Sequence, residues 1–97
     1  MDPLIKLEGP SGPRYLLWSC VWDAPASRGL TLEELREHLR TEGGQQALDD
    51  LLARLARLDV TGTSIRDTTL ESVVACNRAG PDETNLTIEE LWQQYCM

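Results

Sequence analysis

Three cysteines and one histidine are the residues of this chain best suited to nucleophilic or metal chemistry. Cys20, Cys76 and Cys96 lie far apart in the 97-residue sequence, and His38 is the single histidine. A zinc site built from Cys and His would consume all four residues, without the C-x-x-C pairs that usually form such sites. The simpler interpretation is three reduced thiols, and we expect no metal and no cofactor.

Motifs for catalysis are missing as well. The sequence contains no HExxH, no GxSxG and no glycine-rich phosphate-binding loop. His38 stands among the glutamates of residues 34–42, as expected for a solvated side chain on a charged helix. A catalytic Cys–His couple would require His38 to meet Cys20 or Cys76 in space, which the spacing does not indicate. We therefore expect no enzymatic activity.

Aromatic residues and carboxylates favour binding over catalysis. The chain has three Trp, two Tyr and no Phe, and Trp and Tyr are the residues that most often anchor protein interfaces. One aromatic patch forms if the first and last predicted helices are neighbours. The carboxylates of residues 81–97, which include no Lys or Arg, would attract a basic surface. The candidate partner-binding residues are Trp18, Trp22, Asp82, Glu83, Glu89, Glu90, Trp92 and Tyr95.

The net charge of −7 restricts the class of partner. Nucleic acids and anionic membranes bind proteins largely through positive charge, so both are disfavoured. The longest apolar run, residues 15–22, is shorter than a membrane span, and the N-terminus does not resemble a signal peptide. These features predict an intracellular protein, cytoplasmic or nuclear, whose partner is another protein with a basic or apolar contact surface. A homodimer is left open.

The elements that position these residues are predicted first from residues 45–58. Five leucines recur there at i, i+3, i+4, i+7 and i+10, the spacing of one helix face. They are Leu48, Leu51, Leu52, Leu55 and Leu58. We expect this leucine ridge to be buried, which leaves the outward chemistry to tryptophans and carboxylates.

Two further helices are predicted by capping boxes. Thr31 and Glu34 form one box, and Thr87 and Glu90 form the other, each with a leucine before the cap that can pack on the first turn. The first of these helices is expected to run to about residue 41. Gly43-Gly44 then ends it and makes the turn into the leucine helix.

The remaining segments are less uniform. Residues 1–12 are predicted to be an extended arm, with a strand over residues 1–7 as the alternative. Pro13 suits the first turn of a helix over residues 14–23, although a strand is also compatible there. Thr68 and Glu71 resemble a third capping box and favour a helix over residues 69–77. The alternative is a β-hairpin that pairs residues 60–65 with 72–76.

These elements predict a single, mainly α-helical domain over residues 1–97, with a helical core over 13–96 and a helix-turn-helix-like centre. The order of helix, capped helix, tight turn and leucine-striped helix resembles a helix-turn-helix. With the hairpin alternative, residues 14–77 resemble a winged-helix domain.

The winged-helix resemblance implies DNA binding through the leucine helix. Gln45, Gln46, Arg54 and Arg57 would then face the DNA. That helix carries no excess of positive charge, so we favour a protein–protein interaction module: a small acidic regulator, inhibitor, adaptor or complex subunit. A winged-helix transcription regulator is the alternative function.

Overall fold

A β-hairpin forms the centre of the fold in the computed structural model, which describes residues 3–97. Strand β1 spans Leu4–Gly9, β2 spans Gly12–Ser19 and the short β3 spans Ala24–Pro25. They form an antiparallel sheet in the order β1-β2-β3. Pro10 and Ser11 make the hairpin turn. Gly12 closes it at a φ of 101°, which glycine reaches without steric cost.

The two edges of this hairpin are both covered. On the β1 side, Lys6 N–H donates to the carbonyl of Gly62 at 2.9 Å, and Ser64 N–H donates to the carbonyl of Leu4 at 2.9 Å. On the β2 side, Tyr15 and Leu30 exchange backbone hydrogen bonds beyond the short β3. These backbone groups of the hairpin are therefore paired rather than open to another chain.

Three α-helices follow the sheet. Helix α1 spans Leu32–Thr61, α2 spans Leu70–Ala75 and α3 spans Ile88–Tyr95, with a 3₁₀ turn at Pro81–Glu83. The capping boxes predicted at the starts of α1 and α3 are confirmed: in each, the threonine hydroxyl accepts the N–H three residues on, and the glutamate accepts the N–H of the threonine. None of the helices within residues 3–97 is long and apolar enough to cross a bilayer.

The two faces of the hairpin are packed against different helices, because successive strand residues point to opposite faces. Leu4, Tyr15 and Leu17 join the cluster that contains α1. Their neighbours on the other face join the cluster that contains α2 and α3, and these are Ile5, Leu7, Leu16 and Trp18. The sheet is therefore the middle layer of a small α/β fold, with α1 on one side and α2 and α3 on the other.

The mainly α-helical, helix-turn-helix-like fold that the sequence predicts is wrong. Residues 14–23, expected to be a helix that begins at Pro13, form β2 and the turn after it. The extended segment within residues 1–12 forms β1, inside the sheet. Residues 15–18 of β2 are buried on both faces and show no polar alternation, so this apolar run resembles a helix that is apolar on all sides. The strand that the sequence also allows there is the correct alternative. In β1, by contrast, Lys6 and Glu8 alternate with the buried Ile5 and Leu7.

The winged-helix arrangement is also wrong. Residues 60 and 61 end α1, and residues 62–64 pair with β1 rather than with residues 72–76. The helix alternative is confirmed at α2, but its cap is Thr69, whose hydroxyl accepts Ser72 N–H at 3.2 Å, and not Thr68. The DNA-binding alternative thereby loses the fold on which it rested.

The leucine ridge is helical, as predicted, but only partly buried. Leu51 and Leu58 are buried against the sheet, and Leu48 and Leu55 are half-buried. Leu52 is 66% exposed. Gly44, at φ 65° and ψ −150°, is not helical, so α1 consists of two helical halves that meet there at a kink, and the break predicted at Gly43-Gly44 is confirmed.

Candidate functional site

A groove with Trp92 as its floor lies between the hairpin turn and α3. The capping box at Thr87 starts α3, and the apolar residues of that helix place Leu91 and Trp92 against the sheet. The indole of Trp92 lies so close to Gly9 that a Cβ atom there would come within 2.2 Å of Cζ2 of the ring. Glycine at the end of β1 is therefore required for this contact.

We call this depression the Trp92 groove. It has a volume of about 460 Å³. Its lining residues are Glu8, Gly9, Pro10, Ile88, Glu89, Trp92, Gln93 and Met97. An apolar floor with a few polar groups at the rim is the usual composition of a binding site.

The charged rim of the groove is acidic. Glu8 and Glu89 both expose their side chains, and none of the described residues that line the groove is Lys or Arg. Lys6 lies near Glu8 at 3.5 Å but forms its shorter contact, 2.8 Å, with Asp59 of α1. The hydrogen bond to Asp59 raises the pKa of Lys6. Because the contact with Asp59 is the shorter one, the ammonium is directed mainly to α1 and compensates Glu8 only in part.

Arg14 lies over the Trp92 ring at the groove floor. Its guanidinium carbon lies 6.0 Å from the centroid of the Trp92 ring, within the range of a cation–π contact. The same guanidinium donates to the carbonyl oxygen of Pro13 at 2.9 Å and to that of Ser11 at 3.4 Å. Arg14 thus ties the indole to the hairpin turn.

The segment between α2 and α3 is held by two asparagines. Asn77 is 2% exposed; its amide donates to the carbonyl of Leu86 at 2.7 Å, and its amide oxygen accepts Leu86 N–H at 2.9 Å. The exposed Asn85 donates to the carbonyls of Val74, Ala75 and Asn77 at the end of α2. These bonds fix the residue that precedes the α3 cap and so fix the approach of α3 to the hairpin.

The aromatic residues predicted to form one partner-binding patch are divided by the structure. Trp18 is 2% exposed and belongs to the core with Trp92 and the half-buried Tyr95. Trp22 lies apart in the turn after β2 and is 68% exposed. The backbone N–H of Trp22 donates to Ser19 Oγ at 3.2 Å, and this hydrogen bond holds the turn.

The predicted carboxylates are divided in the same way. Glu89 lines the groove, whereas Glu90 accepts Thr87 N–H in the capping box, and this backbone hydrogen bond lowers the pKa of its carboxyl. Asp82 and Glu83 are exposed in the 3₁₀ turn and do not line the groove. Of the predicted partner-binding residues, Glu89 and Trp92 line the groove.

The sulfur and imidazole groups remain separate. Cys20 and Cys76 are exposed free thiols, and burial raises the pKa of the half-buried Cys96 thiol. His38 lies beside Leu39 and Glu42 in a different depression, at the kink of α1. Within residues 3–97, no group of three or more His, Cys, Asp and Glu side chains is arranged to hold a metal ion.

Sequence reasoning missed the half of the groove that the hairpin supplies. The segment Gly9–Gly12 between two apolar runs is a recognisable signal for a hairpin turn, and it would have placed the β1 end at a sheet corner. No local signal connects that turn with α3, since about 80 residues separate them in the chain.

Comparisons of the chain with protein-family models, with curated proteins and with solved structures found no match.

Proposed function

We propose that this protein is a protein-binding module that receives a basic side chain of a partner protein in the Trp92 groove. The observation that carries this proposal is the combination of an apolar floor with an acidic rim. The alkyl stem of a lysine or arginine packs on the exposed Ile88 and on the small part of the Trp92 indole that is accessible, while its charged end meets Glu89 or Glu8.

Charge supports a basic partner over other occupants. The chain carries −7, so a cationic segment is attracted over a longer range than the groove itself. Both carboxylates at the rim are exposed, so a partner gains their attraction without a large desolvation cost. Rim charges of this kind contribute mainly to the association rate and to specificity, and their effect is weakened by salt.

The test begins with selection from a displayed library of random peptides against the full chain. We expect enriched peptides to combine Lys or Arg with apolar residues, and we expect their binding to weaken as salt is added. Replacing the attraction at Glu89 by a repulsion, Glu89→Lys, is expected to cost about 1–2 kcal/mol, roughly 5- to 30-fold in Kd. Fluorescence anisotropy of a labelled peptide measures this change.

The chain offers a matched control for Glu89→Lys. Glu33 occupies the equivalent position of the other capping box, two residues after Thr31 as Glu89 is two residues after Thr87. Glu33→Lys therefore makes the same change in net charge and in the same helical context, but on α1. Peptides without basic residues, or equal losses of affinity in the two variants, would contradict the proposal.

A further inference from the structure

The C-terminal half of α1 carries apolar side chains on its solvent-facing side as well as toward the sheet. Leu52 and Val60 are 66% and 84% exposed, and the alanines between them are exposed. We call this set the outer ridge, and it consists of Leu52, Ala53, Ala56 and Val60. A helix that buries only one face normally carries polar residues at these positions, so a contiguous apolar set there marks a contact surface.

The spacing of the outer ridge suits a helix of the same kind. Leu52, Ala56 and Val60 follow one another at intervals of four, so they form one i±4n row along α1. Two such rows interlock at a crossing angle of about −50°, the commonest helix packing in globular proteins. With a two-fold axis at Ala56, the same row of residues forms the contact on both copies. The small side chain of Ala56 allows the two helices to approach closely.

A hollow next to the outer ridge completes the complementary surface. It has a volume of about 500 Å³ and lies between α1 and the segment that follows it, with Ala56, Val60 and Ile65 among its lining residues. In a two-fold arrangement, a leucine that projects from one helix meets this hollow on the other. Knob and hollow are thus present on one chain.

The distribution of charge favours the outer ridge as the contact between two copies of the chain. The segment 45–61 contains three aspartates and two arginines, so it is nearly neutral, whereas residues 81–97 carry four carboxylates and no Lys or Arg. Helix α3 lies on the opposite face of the sheet from α1. Two chains of charge −7 therefore meet with less repulsion at the outer ridge than at α3.

We infer that two copies of this chain associate through the outer ridge, crossing at Ala56, with Leu52 of each copy against the hollow beside Val60 of the other. The interface uses the face of the fold opposite α3 and so leaves the Trp92 groove open. This inference does not depend on the function proposed for that groove.

Sedimentation equilibrium of the full chain over a wide range of concentrations tests the inference. We expect a monomer–dimer equilibrium whose dissociation constant rises at least about tenfold in Leu52→Glu and in Val60→Glu. Val21→Glu is the matched control, since Val21 is 77% exposed in the turn after β2. A wild-type chain that stays monomeric, a dimer that survives both ridge variants, or one that Val21→Glu also dissociates would overturn the inference.

Cross-linking tests the position of the two-fold axis. In a variant whose Cys20, Cys76 and Cys96 are replaced by serine, Ala56→Cys is expected to form a disulfide-linked dimer under mild oxidation. Arg36→Cys, exposed on the N-terminal half of the same helix, is the control and is expected to remain monomeric. Equal rates of cross-linking in the two variants would overturn the crossing at Ala56.

Discussion

Replacing Asn77 by leucine tests how the approach of α3 to the hairpin is maintained. Asn77 is buried, and its amide oxygen accepts the N–H groups of Leu86 at 2.9 Å and of Ala79 at 3.2 Å. Leucine has a similar shape but no polar atoms. Asn77→Leu therefore preserves the volume of the side chain and removes its hydrogen bonds.

The expected loss can be worked from the groups left without a partner. Each buried N–H that loses its acceptor costs about 1–3 kcal/mol, so the buried N–H of Leu86 and the part-buried N–H of Ala79 together account for about 2–6 kcal/mol. A domain of this size has a free energy of unfolding of roughly 5–15 kcal/mol, of which this is a large share. By contrast, Asn85→Ala in the same segment is expected to cost no more than about 1.5 kcal/mol, because Asn85 is exposed and its three hydrogen bonds are exposed or only part-buried, so that water replaces them.

A charged variant adds a dependence on pH. Asn77→Asp keeps an oxygen that accepts the Leu86 N–H. The NH₂ group that donates to the Leu86 carbonyl is replaced by a second oxygen, which cannot donate when the carboxyl is ionised. Burial and this carbonyl disfavour the anion, so the folded-state pKa of the new carboxyl rises above its unfolded value of about 3.9. Stability is then fullest below the unfolded pKa and is lost as the pH rises through the folded pKa.

Urea unfolding followed by tryptophan fluorescence measures these differences. With an m value of about 1.5 kcal/mol per molar urea, a loss of 3 kcal/mol lowers the midpoint by about 2 M. We expect Asn77→Leu to show such a shift at every pH, and the deficit of Asn77→Asp to grow from acidic to neutral pH. If Asn77→Leu costs no more than Asn85→Ala, the reasoning from buried N–H groups is refuted.

Three further predictions concern the kink, the tryptophans and the first capping box. Gly44→Ala is expected to lower the free energy of unfolding by about 1–3 kcal/mol in the same urea titration, because φ 65° with ψ −150° is strained for any residue with a Cβ. An unchanged urea midpoint would show that the kink is dispensable. Trp92→Ala removes a buried indole and is expected to cost about 3–5 kcal/mol, whereas the exposed Trp22→Ala changes stability by at most about 0.5 kcal/mol; equal losses would contradict the assignment of Trp22 to the surface. The hydrogen bond from Arg28, together with the capping bond, lowers the pKa of Glu34 from 4.5 to about 2, so its stabilisation is complete above pH 4.5 and is lost as the pH falls towards 2. Glu34→Gln is expected to flatten the stability profile over this interval, and a profile identical to that of the wild type would refute the linkage.

Local signals in the sequence predicted the helix starts well. Thr31 and Thr87 each act with a glutamate three residues on, so the whole capping signal lies within four residues of chain. The helix over residues 45–58 is likewise present, because propensity and apolar spacing agree there. The glycine pair likewise predicts the interruption at Gly44, whose non-helical φ and ψ divide α1 into two halves.

The sheet was missed because its packing removes the pattern that identifies a strand. A strand with one buried face alternates between apolar and polar residues, but Leu16 and Leu17 are both buried, on opposite faces of β2. The Trp92 groove was unpredictable for a different reason. Its two halves, Gly9 and Trp92, meet only through tertiary packing, and each half alone resembles an ordinary turn or an ordinary amphipathic helix.

Leu52 shows how the geometry of a helix decides between core and surface. An α-helix advances about 100° per residue, so Leu51 and Leu52 cannot both point at the sheet. Leu51 is buried, so Leu52 points to the exposed side of α1, which also carries Ala56 and Val60. A count of leucines at helical spacing assigns all five to one ridge, but a single sheet face covers only part of that arc. Exposed apolar surface is therefore found on α1 as well as at Trp22, and on α1 a second copy of the chain can cover it.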